Sequence, residues 1–320
     1  YEALLEGAKH NLKNCWWIID YNRQSLDGIV YEKLFEKIIN LFELMDWNVE
    51  ILKYGSKLQK LKQSKSGKKI LKWIDDCPND LFSALTYQGG KDWRKTLLEV
   101  FSNDQDIINL IQSFNDEDLY GLMTNLAGHD MESLEIGFSK YINSDKPTCF
   151  ICYTVKGFGL PLAGHKDNHS GIMNNDQFDE YTKLMKIRKG QEWNKTEGIK
   201  LNDNELNSII ASNPLSKCNR EFSETVPIKQ LQKTTFNAFI STQEAFGKIM
   251  NEIGKVNNSF TKRIITTSPD VTVSTSLGGW VNKKNIFSTY KKNDVFGEKK
   301  VFSSQKWKYV PDGQHIELGI

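Results

Sequence analysis

Three short apolar runs, CWWIIDY (15–21), WNVEILKYG (47–55) and TCFICYTV (148–155), each follow an amphipathic helical pattern, at about 1–13, 31–45 and 130–142. That alternation constrains the fold more than any other feature. Short apolar strands separated by amphipathic helices predict an α/β architecture: a parallel sheet with helices on both faces. In such a sheet ligands bind beyond the carboxyl ends of the strands. The loops Asn22–Gly28 and Lys156–His169 both follow strand ends, so they are expected to converge on one site.

Between the second and third runs lie a lysine-rich stretch, Lys53–Lys72, and helical segments containing LFSAL and LLEVF. KKILKW carries its own apolar stripe, so the basic stretch reads as a solvated helix face. From 186 to 235 periodicity weakens, and this stretch reads as a connection with a short helix at Asp203–Ala211. A new pattern starts at Ser241: a helix (STQEAFGKIMNEIGK), a strand (RIITTSPDV) and a surface-rich loop containing SLGGWVN. Two domains are expected, 1–186 and 241–320, joined by 187–240.

The formal net charge of +2 lacks the strongly basic footprint of a nucleic-acid binder. No run approaches the roughly 20 apolar residues of a membrane helix. The five cysteines are scattered, which fits a reducing compartment. Cys149 and Cys152 form a C-x-x-C inside a predicted strand, where residues three apart point to opposite faces, and no second pair at ligand spacing accompanies them, which argues against a redox or zinc role. The chain begins at Tyr1 within an apparent helix, so a targeting peptide upstream is compatible with it.

After the first strand the amide oxygen of Asn22 and the main-chain carbonyl of Gln24 offer the hard oxygen donors that magnesium prefers. The plain alternative is an Asx-type turn ending a strand. In the second loop Lys156, His165 and His169 lie among Gly157, Gly159, Gly164 and Gly171, which let a backbone approach a ligand closely. A histidine there can donate a hydrogen bond or shuttle a proton near neutral pH, or be a surface turn residue. The triplet Gly128, His129, Asp130 reads as a strand-to-helix turn with Asp130 as N-cap.

Together these segments resemble a known family. DYNRQSLDG is similar to the N-x-Q-x-L-D-G half of the thiamine-diphosphate motif, whose G-D-G half would lie upstream of Tyr1. KGFGLPLAGHKDNHSG resembles the loop closing the first domain of transketolases and of the homodimeric first component of pyruvate dehydrogenase complexes. MDWNVEILKYGS and SFNDEDLYGLMTNLAGHD resemble segments of the pyruvate enzymes, in the same order, and the match is strongest over 1–172. The terminal GQHIELGI resembles the approach to a G-I-x-E glutamate; Glu317 precedes that position and does not take its role.

The resemblance implies a thiamine-diphosphate-binding fold of two incomplete domains, the end of a diphosphate-binding domain and the start of a pyrimidine-binding one. It implies oxidative decarboxylation of a 2-oxo acid, pyruvate first, with the acyl unit passed to a lipoyl-bearing acyltransferase. Thiamine diphosphate and magnesium would be held by Asn22, Gln24, Leu26 and Lys156, with Asn22 and Gln24 on the metal. His169, and with less support His165, would act on substrate. A homodimer in the bacterial cytoplasm is implied, with no nucleic-acid or membrane partner. Two other readings stay open: a transketolase moving a two-carbon ketol between sugar phosphates, and a stretch that is catalytically inert by itself.

Overall fold

The computed structural model describes residues 2–25, 28–30, 34–217, 225–226, 234–236, 239–269 and 271–319. The predicted alternation appears as α1 (Glu2–Lys9), β1 (Trp16–Tyr21), α2 (Leu34–Leu44) and β2 (Asn48–Leu52). A helical insertion follows: α3 (Ser56–Leu61), α4 (Lys65–Asp76), α5 (Asn79–Gln88), α6 (Gly90–Val100), α7 (Gln105–Gln112) and α8 (Asp116–Met123). It returns through α9 (Met131–Ser139) to β3 (Thr148–Tyr153), and α10 (Asn175–Leu184) and α11 (Asp203–Ser212) come after.

Among the described residues β1, β3 and β2 form a parallel sheet in that order. The central β3 is buried along its whole length, as an unbroken apolar run requires of a strand covered on both faces. Trp16 and Trp17 point to opposite faces of β1. Trp16 packs on Phe138 of α9, while Trp17 packs edge-on against Phe42 of α2. Helices therefore cover both faces, the α/β arrangement expected from the sequence. On the α9 face Leu52, Ala127, Phe150 and Cys152 are buried against Leu134, Phe138 and Tyr141. The thiols of Cys149 and Cys152 are free, and burial pushes them up to about 12 and about 11.

The basic stretch does form helices with an apolar side: Ile70, Leu71 and Ile74 of α4 are buried while Lys69 and Lys72 are exposed. Asp130 is the N-cap of α9, its Oδ1 accepting from the Ser133 N–H at 2.9 Å. The turn before it differs from expectation. Ala127–His129 is a 3-10 turn coming from α8, not from a strand, because Leu126 makes only a single bridge with Tyr54.

The chain divides into two compact units, Leu12–Cys218 and a second formed by Tyr1–Asn11 with Asn219–Ile320. The second contains α12 (Thr242–Gly254), β4 (Thr266–Pro269), α13 (Gly278–Lys284), β5 (Ile286–Phe287), α14 (Val295–Glu298), β6 (Tyr309–Val310) and β7 (His315–Leu318). Its strands form a parallel sheet in the order β4-β7-β5-β6. Lys9 of α1 donates to the Glu317 carbonyl at 3.0 Å, and the Gly319 N–H donates to Glu6 at 2.8 Å.

SLGGWVN, expected to be loop, is largely helix α13. Leu277, Trp280 and Val281 have the i, i+3, i+4 spacing of a helix face and fill the core of this unit with Met250 and Ile286. The glycine pair hid that spacing, since glycine is a poor helix former. Gly279 is nevertheless useful here: an added Cβ would lie 2.7 Å from the Asn251 side chain of α12.

Candidate active site at the carboxyl end of the first sheet

Tyr21 of β1 and Tyr153 of β3 are register partners, so the chain leaves both strands side by side at Asn22 and Thr154. After β1 the Asn22 Oδ1 accepts from the Gln24 N–H at 3.0 Å, an Asx turn that places Arg23 in the left-handed region at φ 65. The segment then folds back, with the Ser25 N–H donating to the Gly28 carbonyl at 2.8 Å and the Val30 N–H to the Arg23 carbonyl at 3.0 Å. After β3 the chain turns through Gly157, φ 71, and Gly164, φ 78. The Asn168 amide pins this loop by donating to the carbonyls of Lys156 and Leu162, each at 2.8 Å.

Two hydrogen bonds join the loops. The Gln24 side-chain amide donates to the Gly164 carbonyl at 3.0 Å, and the Lys156 ammonium donates to the Ser25 carbonyl at 3.0 Å. A Cβ at Gly164 would come within 2.8 Å of the Ser83 carbonyl, so only glycine fits this approach without strain. Asn22, Gln24, Lys156 and Gly164 thus line one narrow cleft with Thr86 and Thr154. Leu26, expected to touch the cofactor, and Asp27 lie outside the described residues.

The two loop histidines sit farther along. His165 is half-buried with its ring edge-on to Tyr87, centroids 4.6 Å apart, and its Nδ1 accepts from the Asp167 N–H at 3.1 Å. It caps the 3-10 turn Lys166–His169, and His169 ends that turn exposed to solvent. A larger opening of about 570 Å³ lies beside His165, lined also by Ile29, Leu81, Tyr87 and Lys166.

Two residues at this end of the sheet carried no strong sequence signal. His129 Nε2 accepts from the Val155 N–H at 2.8 Å, and its ring stacks on Phe158 at 3.9 Å. Burial lowers its pKa against the pull of Asp20, and an Nε2 that accepts from an N–H carries no proton, so the ring is a neutral acceptor fixing the start of the β3 loop. The other is Arg23, buried between Asn22 and Gln24 in sequence. Only its place between two candidate ligands could have drawn attention to it.

Among the described residues no group of three or more His, Cys, Asp or Glu side chains is placed to hold a metal. The oxygens on offer are neutral. Asn22 Oδ1 keeps a lone pair beyond the one given to Gln24, and among the described residues the Gln24 Oε1 is buried without a partner. An unpaired buried acceptor beside a lysine fits a magnesium-bound diphosphate, where the anion supplies further oxygens.

No family model matches the chain. It is 27% identical over 170 residues to the pyruvate dehydrogenase E1 component of Buchnera aphidicola subsp. Schizaphis graminum, covering 52% of this chain and 18% of that protein. It is 24% identical over 169 residues to the pyruvate dehydrogenase E1 component of Escherichia coli strain K12, with 52% and 18% covered. With the pyruvate dehydrogenase E1 component of Haemophilus influenzae the similarity runs over 339 aligned residues at 23% identity, 99% of this chain and 37% of that protein. The chain spans well under half the length of each of these relatives. The recognition carried by its motifs is borne out at low identity: this chain is similar to pyruvate dehydrogenase E1 components.

Proposed function

We propose that the chain carries part of the active site of a thiamine-diphosphate-dependent 2-oxo acid dehydrogenase acting on pyruvate. The observation that supports this reading best is the junction of the two loops, Gln24 amide to Gly164 carbonyl, at the carboxyl ends of adjacent parallel strands. That is where a doubly wound sheet takes its ligand. Asn22 Oδ1 and the Gln24 carbonyl would hold magnesium, and Lys156 would exchange the Ser25 carbonyl for a diphosphate oxygen, with Leu26 against the cofactor. When bound, thiamine diphosphate supplies the electron sink for decarboxylation.

The chain's own residues then bind, orient and move protons. The neutral His129 holds the Val155 N–H and so fixes the direction from which Lys156 enters. His165 and His169, on a turn capped by His165 itself, are the groups we assign to proton movement at the substrate or the lipoyl acceptor. In this reading 1–186 is the end of the diphosphate-binding domain, 187–240 a linker and 241–320 the start of the pyrimidine-binding domain. The partners would be a lipoyl-bearing acyltransferase and a second copy of the chain, in a bacterial cytoplasm.

One observation favours inertness of these 320 residues by themselves. Trp16, Trp17 and Ile18 of edge strand β1 are substantially exposed, although parallel sheets are normally covered. The AGHKDNHSG loop keeps a transketolase reading open. The test is cofactor-dependent ferricyanide reduction by the product of the complete reading frame, with pyruvate, 2-oxobutyrate and 2-oxoglutarate, and a pentose-phosphate pair as control. Turnover of an oxo acid that Asn22→Ala abolishes is expected; turnover of sugar phosphates alone refutes the dehydrogenase assignment.

A further inference from the structure

Among the described residues Arg23 is a buried cation without an anion. Its residue is 4% exposed, and its guanidinium carbon lies 3.8 Å over the ring of Phe82 and 5.8 Å from the centre of Tyr153. Among the described residues its Nε and Nη1 are buried with no hydrogen-bond partner. Aromatic faces offset part of the cost of burying a guanidinium, yet they leave two directional donors unpaired, which proteins ordinarily avoid.

Those donors belong to a side chain that lines a cavity of about 170 Å³, together with Tyr21, Phe35, Lys53, Asp75 and Tyr153. At a water's share of roughly 30 Å³, this is room for five or six non-hydrogen atoms. The other charges in the wall are already matched. Lys53 pairs with Asp75, which also accepts from the Tyr54 hydroxyl, and Asp76 pairs with Lys72 at 2.8 Å. Among the described residues Arg23 is therefore the cation of this wall with no carboxylate paired to it. Asp75 is half-exposed, so the cavity opens to solvent on its side.

We propose that this cavity binds a small organic monocarboxylate, its carboxylate on an unpaired N–H of Arg23 and its apolar end against Phe35 and Tyr21. A charged guanidinium N–H makes a short, strong hydrogen bond to a carboxylate. The single unpaired guanidinium matches one negative charge, whereas a phosphate, carrying about 1.5 to 2 at neutral pH, would be over-charged beside Asp75. The aromatic and aliphatic wall suits a short carbon tail. The cavity adjoins the cleft assigned above to the diphosphate, with Arg23 in the wall of both, but the proposal does not depend on that assignment.

The test is titration of the purified 320-residue chain by calorimetry and thermal melting, at constant ionic strength, with acetate, propionate, pyruvate, phosphate and chloride. Saturable binding of at least one monocarboxylate is expected, with phosphate at least tenfold weaker. Arg23→Met should weaken that binding at least tenfold while melting no lower than the parent, since it removes an unmatched buried charge. Asp75→Asn, which also frees Lys53, should tighten carboxylate binding severalfold and serves if the first variant does not fold. Absence of saturable carboxylate binding, equal or tighter phosphate binding, undiminished binding by Arg23→Met, or unchanged or weaker binding by Asp75→Asn would overturn the proposal.

Discussion

Asp130 is where the candidate site is tied to the scaffold. Its Oδ1 caps α9 through the Ser133 N–H, and its Oδ2 accepts from the Ser56 hydroxyl at 2.8 Å and the Asn125 amide at 3.2 Å. Replacing it with alanine removes a helix N-cap, about 1 kcal/mol, and two further hydrogen bonds at about 1 kcal/mol each. Because the three share one carboxylate the terms overlap, and a total loss of about 2–3 kcal/mol is expected for Asp130→Ala. Asparagine is an equally good cap, but it turns one acceptor into a donor facing Asn125, so Asp130→Asn should cost only about 1 kcal/mol. The assay is urea unfolding followed by tryptophan fluorescence and circular dichroism, with the two units fitted as separate transitions.

The pH dependence supplies a second check. Burial works against ionisation of this carboxyl, but the bonds from Ser133, Ser56 and Asn125 outweigh it and hold Asp130 well below the usual carboxylate range. A pKa depressed in the folded state gives stability that is fully present above the unfolded value, near about 3.9, and lost as pH falls through the folded pKa. The advantage of the parent over Asp130→Asn should therefore stay level from neutral pH down to about 4 and shrink only below it. An alanine variant within about 0.5 kcal/mol of the parent, or an advantage that fades already at neutral pH, would refute this account of the turn.

Other expectations follow from the same structure. Gly164→Ala meets the Ser83 carbonyl at 2.8 Å with φ at 78, and should lower stability by about 1–3 kcal/mol with faster amide exchange at Gln24, read by hydrogen exchange. Trp280 is 0% exposed in the core of the second unit; Trp280→Ala should cost about 3–5 kcal/mol and shift only that unit's unfolding transition. Burial depresses His129, so its ring should titrate below about 6.5 by NMR. The linked stability is present above that value and is lost as pH falls through the folded pKa, a loss His129→Gln should not show. Cys149 and Cys152, buried with raised thiol pKa, should resist a disulfide thiol reagent at about pH 8 until the chain is denatured, and rapid native labelling would contradict the buried-strand reading.

The local pattern of this sequence determined a good deal. Apolar runs of strand length between helical repeats required a parallel α/β sheet, and the order of strand then loop put Asn22, Gln24 and Lys156 at the carboxyl end of its strands. Both follow from periodicity, a property of neighbouring residues. Asp130 as an N-cap and the helical lysine-rich stretch were legible for the same reason. Only the tertiary structure decided that β3 lies between β1 and β2, since the same apolar pattern suits any strand order. That adjacency brings Gln24 to Gly164 across 140 positions of sequence.

The burial of Arg23 was equally invisible, because a charged residue in a polar loop reads as solvated until Phe82 of α5 is seen packed on its guanidinium. His129 gave no hint of its bond to Val155, a contact between two segments joined only through β3. SLGGWVN concealed a buried helix behind its glycines, which close packing on α12 accommodates. Local spacing specifies which face of an element is apolar; which elements meet, and which charge is left unmatched when they do, is settled by packing.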